Sequence, residues 1–456
     1  MMKKLLLVIW MVPSMAFAQQ LSDSLLIKQI SDDVLINGKA YDLLRQLTKQ
    51  IGGRLAGSPQ FMKAVLWGQQ AMKEMGADTV YIQQCMVPHW VRGGKDVATV
   101  VQIGSRKVNK SLSVTALGNS LGAKPGGITA PVLAVHDFAE LEARKAEAKG
   151  KIVFFNYPFN PTYIIPGRAY GESGVYRRNG ASIAAKYGAI GIIIRSLSGS
   201  TDNNAHTGVM AYNDSLPKIP AAALGLQDAD SLFAWCQRMP VQLHLETHGH
   251  FLPDTIGYNV IGVLKGTEQP QQYITVGGHL DSWDEGEGAH DDGAGVVQTI
   301  EISRAFKAVG YRPKHSIHFV LFANEENGLR GGNEYARVAA LQTDQPIFAL
   351  ESDEGGFTPR GFGCSTSPEK LAMIRSWIPL LQPYGTDVIA AGGGGADIGP
   401  LARHFKIPAC GLMPDNQRYF DIHHTKADVF EAVNKRELLL GAINMAGLVY
   451  LVDKYF

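Results

Sequence analysis

From Asn259 onward, apolar runs of strand length alternate with longer stretches of helical periodicity, and three of the runs end in acidic or histidine-bearing clusters. The runs are NVIGVLKG, YITVGGHL, SIHFVLFAN and IFALESD. Between and after them come VVQTIEISRAFKAVG, GGNEYARVAAL and a last helical stretch from Lys435 to Tyr455. Strand runs joined by helices predict an α/β sheet with helices on both faces. His279 and Asp281 follow YITVGG, Glu325 and Glu326 follow HFVLFAN, and Asp353 follows IFALES. In such sheets ligands bind in the crevice outside the carboxyl ends of the strands. The three clusters therefore fall at one place.

The densest cluster is GGHLDSWDEGEGAHDDGAG, Gly277 to Gly295, which adds Asp291; farther on, FDIHHTKAD adds His423, His424 and Asp428. Imidazole and carboxylate are ligands that zinc prefers, and glycine lets backbone approach a metal closely. Two tetrahedral zinc ions that share one carboxylate and one hydroxide need five side chains. The expected set is His279, Asp291 and Asp353 on one ion, and Asp291, Glu326 and His424 on the other. Three carboxylates and a hydroxide then balance the charge of two Zn2+. Glu325, beside a ligand at a strand end, is left free as general base. Asp281, two residues from His279, is expected to accept the other imidazole N–H, and Asp428 to do the same for His424. Asp397 is a weaker candidate for such support. His290 reads as a loop residue, Asp284 and Asp292 as loop-shaping or supporting carboxylates, and His315 and His318 as strand residues. His423 competes with His424, and residue type alone does not separate them.

The chain opens MMKKLLLVIWMVPSMAFAQQ, with Lys3 and Lys4 before an apolar run and Ala16-Phe17-Ala18 before Gln19. This is the pattern of a secretory signal peptide over residues 1–18, so a periplasmic or secreted protein is expected. No later segment reads as a membrane span, and a net charge of +1 gives no nucleic-acid stripe. Four cysteines lie far apart without C-x-x-C spacing and are expected as unpaired, mostly buried thiols. Residues 21 to about 75 read as helical, broken by the turn GGRLAGSP. The character changes near Gly118. PVLAVHDF, GKIVFFN, IGIIIRS, IPAAALGL and VQLHLETHG read as strands of a separate block without metal-ligand clusters. The expected division is 19–118 as the N-terminal part of the catalytic domain, 119–250 as an insert and 251–456 as the catalytic domain.

The ordered set H-x-D, glycine-flanked DD, EE, D and H-x-x-x-D resembles the two-zinc aminopeptidase and glutamate carboxypeptidase superfamily. GRLAGSP, VPHWVRG, GKIV, PKIPAAAL, HLDSWD, ESDEGG and LLQPYG are similar to its plasma glutamate carboxypeptidase branch. The resemblance implies a zinc aminopeptidase-like core with a mixed sheet, an inserted protease-associated domain over the cleft, two Zn2+ per chain, small peptide substrates and a homodimer. It matches His279, Asp291, Glu326, Asp353 and His424 to metal ligands, Glu325 to the catalytic base and Asp281 to the carboxylate that orients His279. It favours His424 over His423. The chain departs from the family pattern at His290, which bears on the loop but not on the ligand count, and at Val429, which puts a supporting hydrogen bond in doubt but not a ligand. Related proteins include receptor-like modules that have lost the ligands and glutaminyl cyclases with one zinc; the complete set here argues against both.

Which peptide end is read stays open. A carboxypeptidase needs a cation for the free carboxylate, ideally a guanidinium. Arg177, Arg178 and Arg418 are candidates, and Trp283 and Tyr419 flank the ligand motifs as candidate pocket walls. An aminopeptidase would instead need carboxylates or carbonyls for the ammonium.

Overall fold

The computed structural model describes residues 21–456; the signal-peptide reading lies outside the described residues. Two eight-stranded sheets organise the chain. The first runs, edge to edge, Thr79–Val91, His250–Leu264, His315–Phe322, Gln269–His279, Gln345–Glu351, Ala409–Pro414, Pro359–Ser365 and Val388–Ala391. Its centre is parallel, with Gln269–His279 between His315–Phe322 and Gln345–Glu351. Both flanks contain antiparallel pairs. The fold is mixed α/β, as the alternation of runs predicts.

Strand residues alternate between two faces, and their burial follows that period. Ile274, Val276, Ile317, Phe319, Leu321, Phe348 and Leu350 pack with the helices Pro59–Glu74, Ala294–Ala308 and Lys435–Tyr455. Tyr273, Val320, Phe322 and Ala349 face the helices Arg330–Ala339 and Gly399–Phe405 instead. Each fully buried large apolar side chain contributes roughly 1.5–3 kcal/mol. Lys435–Tyr455 is long and apolar enough to cross a membrane, contrary to the sequence reading. It is nonetheless a core helix, buried over most of its length.

The second sheet runs Arg106–Leu112, Val97–Ile103, Val241–Glu246, Ile128–Val135, Ile152–Phe155, Gly191–Arg195, Ala221–Leu224 and Val114–Ala116. Three of its strands precede residue 119, so the sequence boundary there cuts through this unit. The reason is pairing: Val97–Ile103 joins Val241–Glu246 across the whole unit. All of it lies between Thr79–Val91 and His250–Leu264, neighbours in the first sheet.

A helix over Pro166–Lys186 covers one face of the second sheet. Its first fifteen residues, PGRAYGESGVYRRNG, read as loop by composition. The structure makes it helical because Pro166 starts it and Gly180 lets it close on Phe155 and Ile192, 3.2 Å from where a Cβ would stand. The cysteine reading is corrected for two of the four. Cys364 and Cys410 are direct partners in adjacent antiparallel strands, with Cα atoms 4.1 Å apart, and form a disulfide.

Candidate active site

The loops leaving Gln269–His279, His315–Phe322 and Gln345–Glu351 carry His279, Glu325 with Glu326, and Asp353 to one crevice. Asp291 enters from the turn Ala289–Gly293 that starts the helix Ala294–Ala308, and its peptide bond to Asp292 is cis. His424 follows the short helix Tyr419–Ile422 and has φ +62, the left-handed region. The five side chains expected as ligands thus come together.

Their spacing is specific. His279 Nε2 lies 3.1 Å from Asp353 Oδ1 and 3.2 Å from Asp291 Oδ1. On the other side of the same carboxylate, His424 Nε2 lies 3.2 Å from both Asp291 Oδ2 and Glu326 Oε2. One ring nitrogen cannot serve two carboxylates well by donating a single proton. A tetrahedral ion with bonds of about 2.0 Å sets its ligand atoms roughly 3.3 Å apart. The donor sets fit two such ions with Asp291 between them. Glu326 Oε1 is buried without a hydrogen-bond partner among the described residues, as fits a cation ligand.

Charge makes the same demand. Asp281, Asp291, Asp292, Glu326, Glu351, Asp397 and Asp428 are all buried around this point. Burial, reinforced by neighbouring carboxylates, pushes Glu326 and Glu351 up to about 7. Glu325 and Asp397 rise well above the ordinary range for the same reasons. Burial opposes protonation of His279, but Asp353 and Asp291 outweigh it and hold its pKa well above the ordinary value. A site this rich in carboxylate is built for positive charge.

Asp281 does something other than expected. His279 Nδ1 lies 3.0 Å from its backbone oxygen and 3.9 Å from its carboxylate. The carbonyl only accepts, so Nδ1 carries the proton and Nε2 faces the site. The Asp281 carboxylate accepts the N–H groups of Glu325 and Glu326, at 3.0 and 3.3 Å. Asp428 likewise accepts from His290 and Asp291, at 2.7 and 3.1 Å, rather than from His424. Asp292 is committed to the N–H groups of His279 and Gly295, both at 3.0 Å. The carboxylates around the ligands fix backbone, which side-chain spacing in a sequence does not reveal.

His423 stays close, with its ring 3.5 Å from that of His424 and Nε2 3.4 Å from Asp291 Oδ2. Two buried residues were not anticipated. Arg54, from the glycine-rich turn, donates to the carbonyls of Leu280, Glu287 and Gly288 and laces the Asp291 loop to His279. Glu351 accepts the N–H of Ile398 at 2.9 Å. An arginine inside a glycine-rich turn was the available signal for Arg54. Glu351 carried no signal, because an acid at the end of a strand is ordinary.

A cleft of about 570 Å³ opens over the cluster, lined by Glu325, Asp353, Tyr419 and His424 from the first unit and by Tyr170, Arg177 and Val209 from the second. Trp283 does not line it; its ring stands edge-on to His424 at 5.8 Å and backs that residue. Among the described residues, Arg177 is the only arginine or lysine along the cleft. It is 5% exposed, lies 5.1 Å over the Tyr170 ring, and its Nε has no hydrogen-bond partner among those residues. Arg178 and Arg418 do not line the cleft.

Residues 259–449 match peptidase family M28. Carboxypeptidase Q of Mus musculus is 32% identical over 91% of this chain and 85% of its own length. The chain belongs to peptidase family M28. A solved M28 peptidase precursor from Shewanella amazonensis superposes with a TM-score of 0.88 at 31% identity, covering 95% of this chain and 97% of that one. The fold extends to a zinc aminopeptidase from Bacillus subtilis, TM-score 0.65 at 21% identity over 90% of this chain and 94% of that one. This M28 chain is a carboxypeptidase Q-like enzyme, a metallo-exopeptidase.

Proposed function

We propose that this M28 peptidase is a secreted or periplasmic two-zinc exopeptidase that removes one residue from the C-terminus of dipeptides or short peptides. His279, Asp291 and Asp353 would hold one ion, and Asp291, Glu326 and His424 the other. The observation that carries the substrate reading is Arg177. It is a buried guanidinium with an unpartnered Nε, and a Cβ on Gly208 would stand within 2.6 Å of both its Nη1 and His424 Nδ1. A carboxylate bound by this guanidinium would sit beside the proposed ligand His424, which favours cleavage of the last bond. Glu354, which also lines the cleft, offers a dipeptide's ammonium a partner.

When bound, two zinc ions would polarise the scissile carbonyl and supply a nucleophilic water at neutral pH. The side chains do the rest. Glu325, in the cleft, takes the water proton and returns it to the leaving amine. Asp281 holds the Glu325 backbone, and the Asp281 carbonyl fixes the His279 tautomer. Arg177 fixes the register, and Tyr170 and Tyr419 narrow the cleft around the substrate. We assign His424 rather than His423 as ligand because its Nε2 reaches both Asp291 and Glu326. The second unit fits a protease-associated insert, and a homodimer is the expected assembly.

The test is a hydrolysis panel of free dipeptides, N-acetyl dipeptides and dipeptide amides, with Glu325→Gln as control. The reading requires cleavage of free and acetylated dipeptides but not amides. Cleavage of free dipeptides alone would narrow it to a dipeptidase. Cleavage of amides but not acetylated substrates would make it an aminopeptidase, and wild-type turnover by Glu325→Gln would overturn the mechanism.

A further inference from the structure

A short strip of the second unit, His206 to Val209, runs against the metal-site histidine. The N–H of Thr207 donates to the carbonyl of His424 at 3.0 Å. The strip is itself fixed. The Thr207 hydroxyl donates to the Ala116 carbonyl at 2.8 Å, and the His206 N–H donates to Ser196 Oγ at 2.9 Å. Gly118 donates to the Gly208 carbonyl at 2.9 Å, and Met210 donates back to Gly118 at 3.0 Å.

Gly208 has φ +122, where side chains are rarely tolerated. A Cβ there would stand 2.5 Å from Arg177 Nη1 and 2.6 Å from His424 Nδ1. Only glycine lets the strip pass against both. His424 is a non-glycine residue at positive φ, a conformation that persists where the surroundings over-determine it. The strip, Trp283 set crosswise to its ring and His423 stacked on its ring face are those surroundings.

We propose that Thr207 and Gly208 are positioning residues that set His424 and Arg177 together, so the second unit is a constituent of the catalytic centre. The proposal rests on the two-zinc carboxypeptidase reading above. Ligand orientation set by such outer contacts is worth about 10–100-fold in metal affinity or activity. A single element holding both groups links metal retention to carboxylate binding.

The experiment compares Gly208→Ala with Gly150→Ala. Gly150 is in the second unit, also at positive φ (+71), with nothing within 4 Å of its missing Cβ, so it controls for an added methyl at a positive-φ glycine without the contacts. For Gly208→Ala, zinc titration should show one of the two ions held about tenfold or more weakly. KM for free dipeptides should rise and kcat fall, with circular dichroism unchanged. Gly150→Ala should match wild type in each. In the wild-type protein, amide exchange at Thr207 should slow about tenfold when zinc is added, because the ion immobilises His424; this readout decides the matter if Gly208→Ala does not fold. Wild-type zinc affinities and KM in Gly208→Ala, or Thr207 exchange blind to bound zinc, would overturn the proposal alone. A wild-type chain that binds fewer than two zinc ions would overturn the functional reading instead.

Discussion

The carboxylate of Asp281 lies 3.0 Å from the backbone nitrogen of Glu325, spanning the ends of two parallel strands. It is fully buried, and it accepts the Glu326 N–H as well. One side chain thereby sets the turn that carries both the proposed base and a proposed ligand. Asp281→Ala should lower kcat about 10–100-fold, with a smaller effect on KM. Steady-state kinetics with parallel zinc analysis would check this; loss of zinc from the His279 side alone would show that the carboxylate serves the imidazole after all.

Arg177→Met keeps most of the side-chain volume and removes the charge. A charge-assisted hydrogen bond contributes roughly 1.5–3 kcal/mol, so KM for substrates with a free carboxylate should rise about 10–100-fold. Zinc content and circular dichroism should be unchanged. Loss of zinc or of the folded signal alongside the activity would show that Arg177 supports the fold rather than the substrate.

The Cys364–Cys410 bond closes a separation of 46 residues. The chain-entropy account gives such a cross-link about 4 kcal/mol, and typical measured values are about 2–4 kcal/mol. Replacing both cysteines by serine should lower unfolding stability by that amount in a denaturant titration. The active site is on other loops, so kcat at 25 °C should hold. An unshifted midpoint would mean that the strand pairing needs no clamp.

His318 lies on the strand His315–Phe322, stacked on Tyr273 at 4.1 Å and bonded to the Tyr335 hydroxyl at 3.0 Å. Burial pushes it down from 6.5 to about 4. As pH falls through 6.5 the unfolded chain takes up this proton and the folded chain does not. Stability from the neutral ring is therefore complete above 6.5 and is lost between 6.5 and 4. Wild type should lose on the order of 1–2 kcal/mol more than His318→Gln between pH 7 and pH 5. Urea titrations at the two pH values would measure the difference, and parallel losses in the two proteins would refute the assignment.

What the sequence made legible was chemistry attached to strand ends. Apolar runs located His279, Glu326 and Asp353 at sheet termini, and that alone predicts convergence. It did not place Arg177, because PGRAYGESGVYRRNG has the composition of a loop. The helix there is decided by packing of Gly180 on the second sheet, a tertiary fact. The boundary at 119 failed for a related reason: Val97–Ile103 is a strand in either unit, and only its pairing with Val241–Glu246 says which. Asp281 and Asp428 were seen as acids near histidines, but their partners are backbone N–H groups, which no spacing rule exposes. The Cys364–Cys410 pair depends on two strands meeting in register from 46 residues apart.

Val91 and His250 are paired directly across the first sheet, so everything between them leaves and returns through a gap one strand wide. A tight turn could close that gap with the register intact. The core could thus be inherited without its partner as a self-sufficient scaffold. Yet Arg177 and the Thr207 tie reside in the removable segment. The frame of the first sheet and the residues proposed for selectivity are thus carried by different segments of the chain. Exchanging what hangs from that doorway is a route by which one metal-binding frame acquires a new diet.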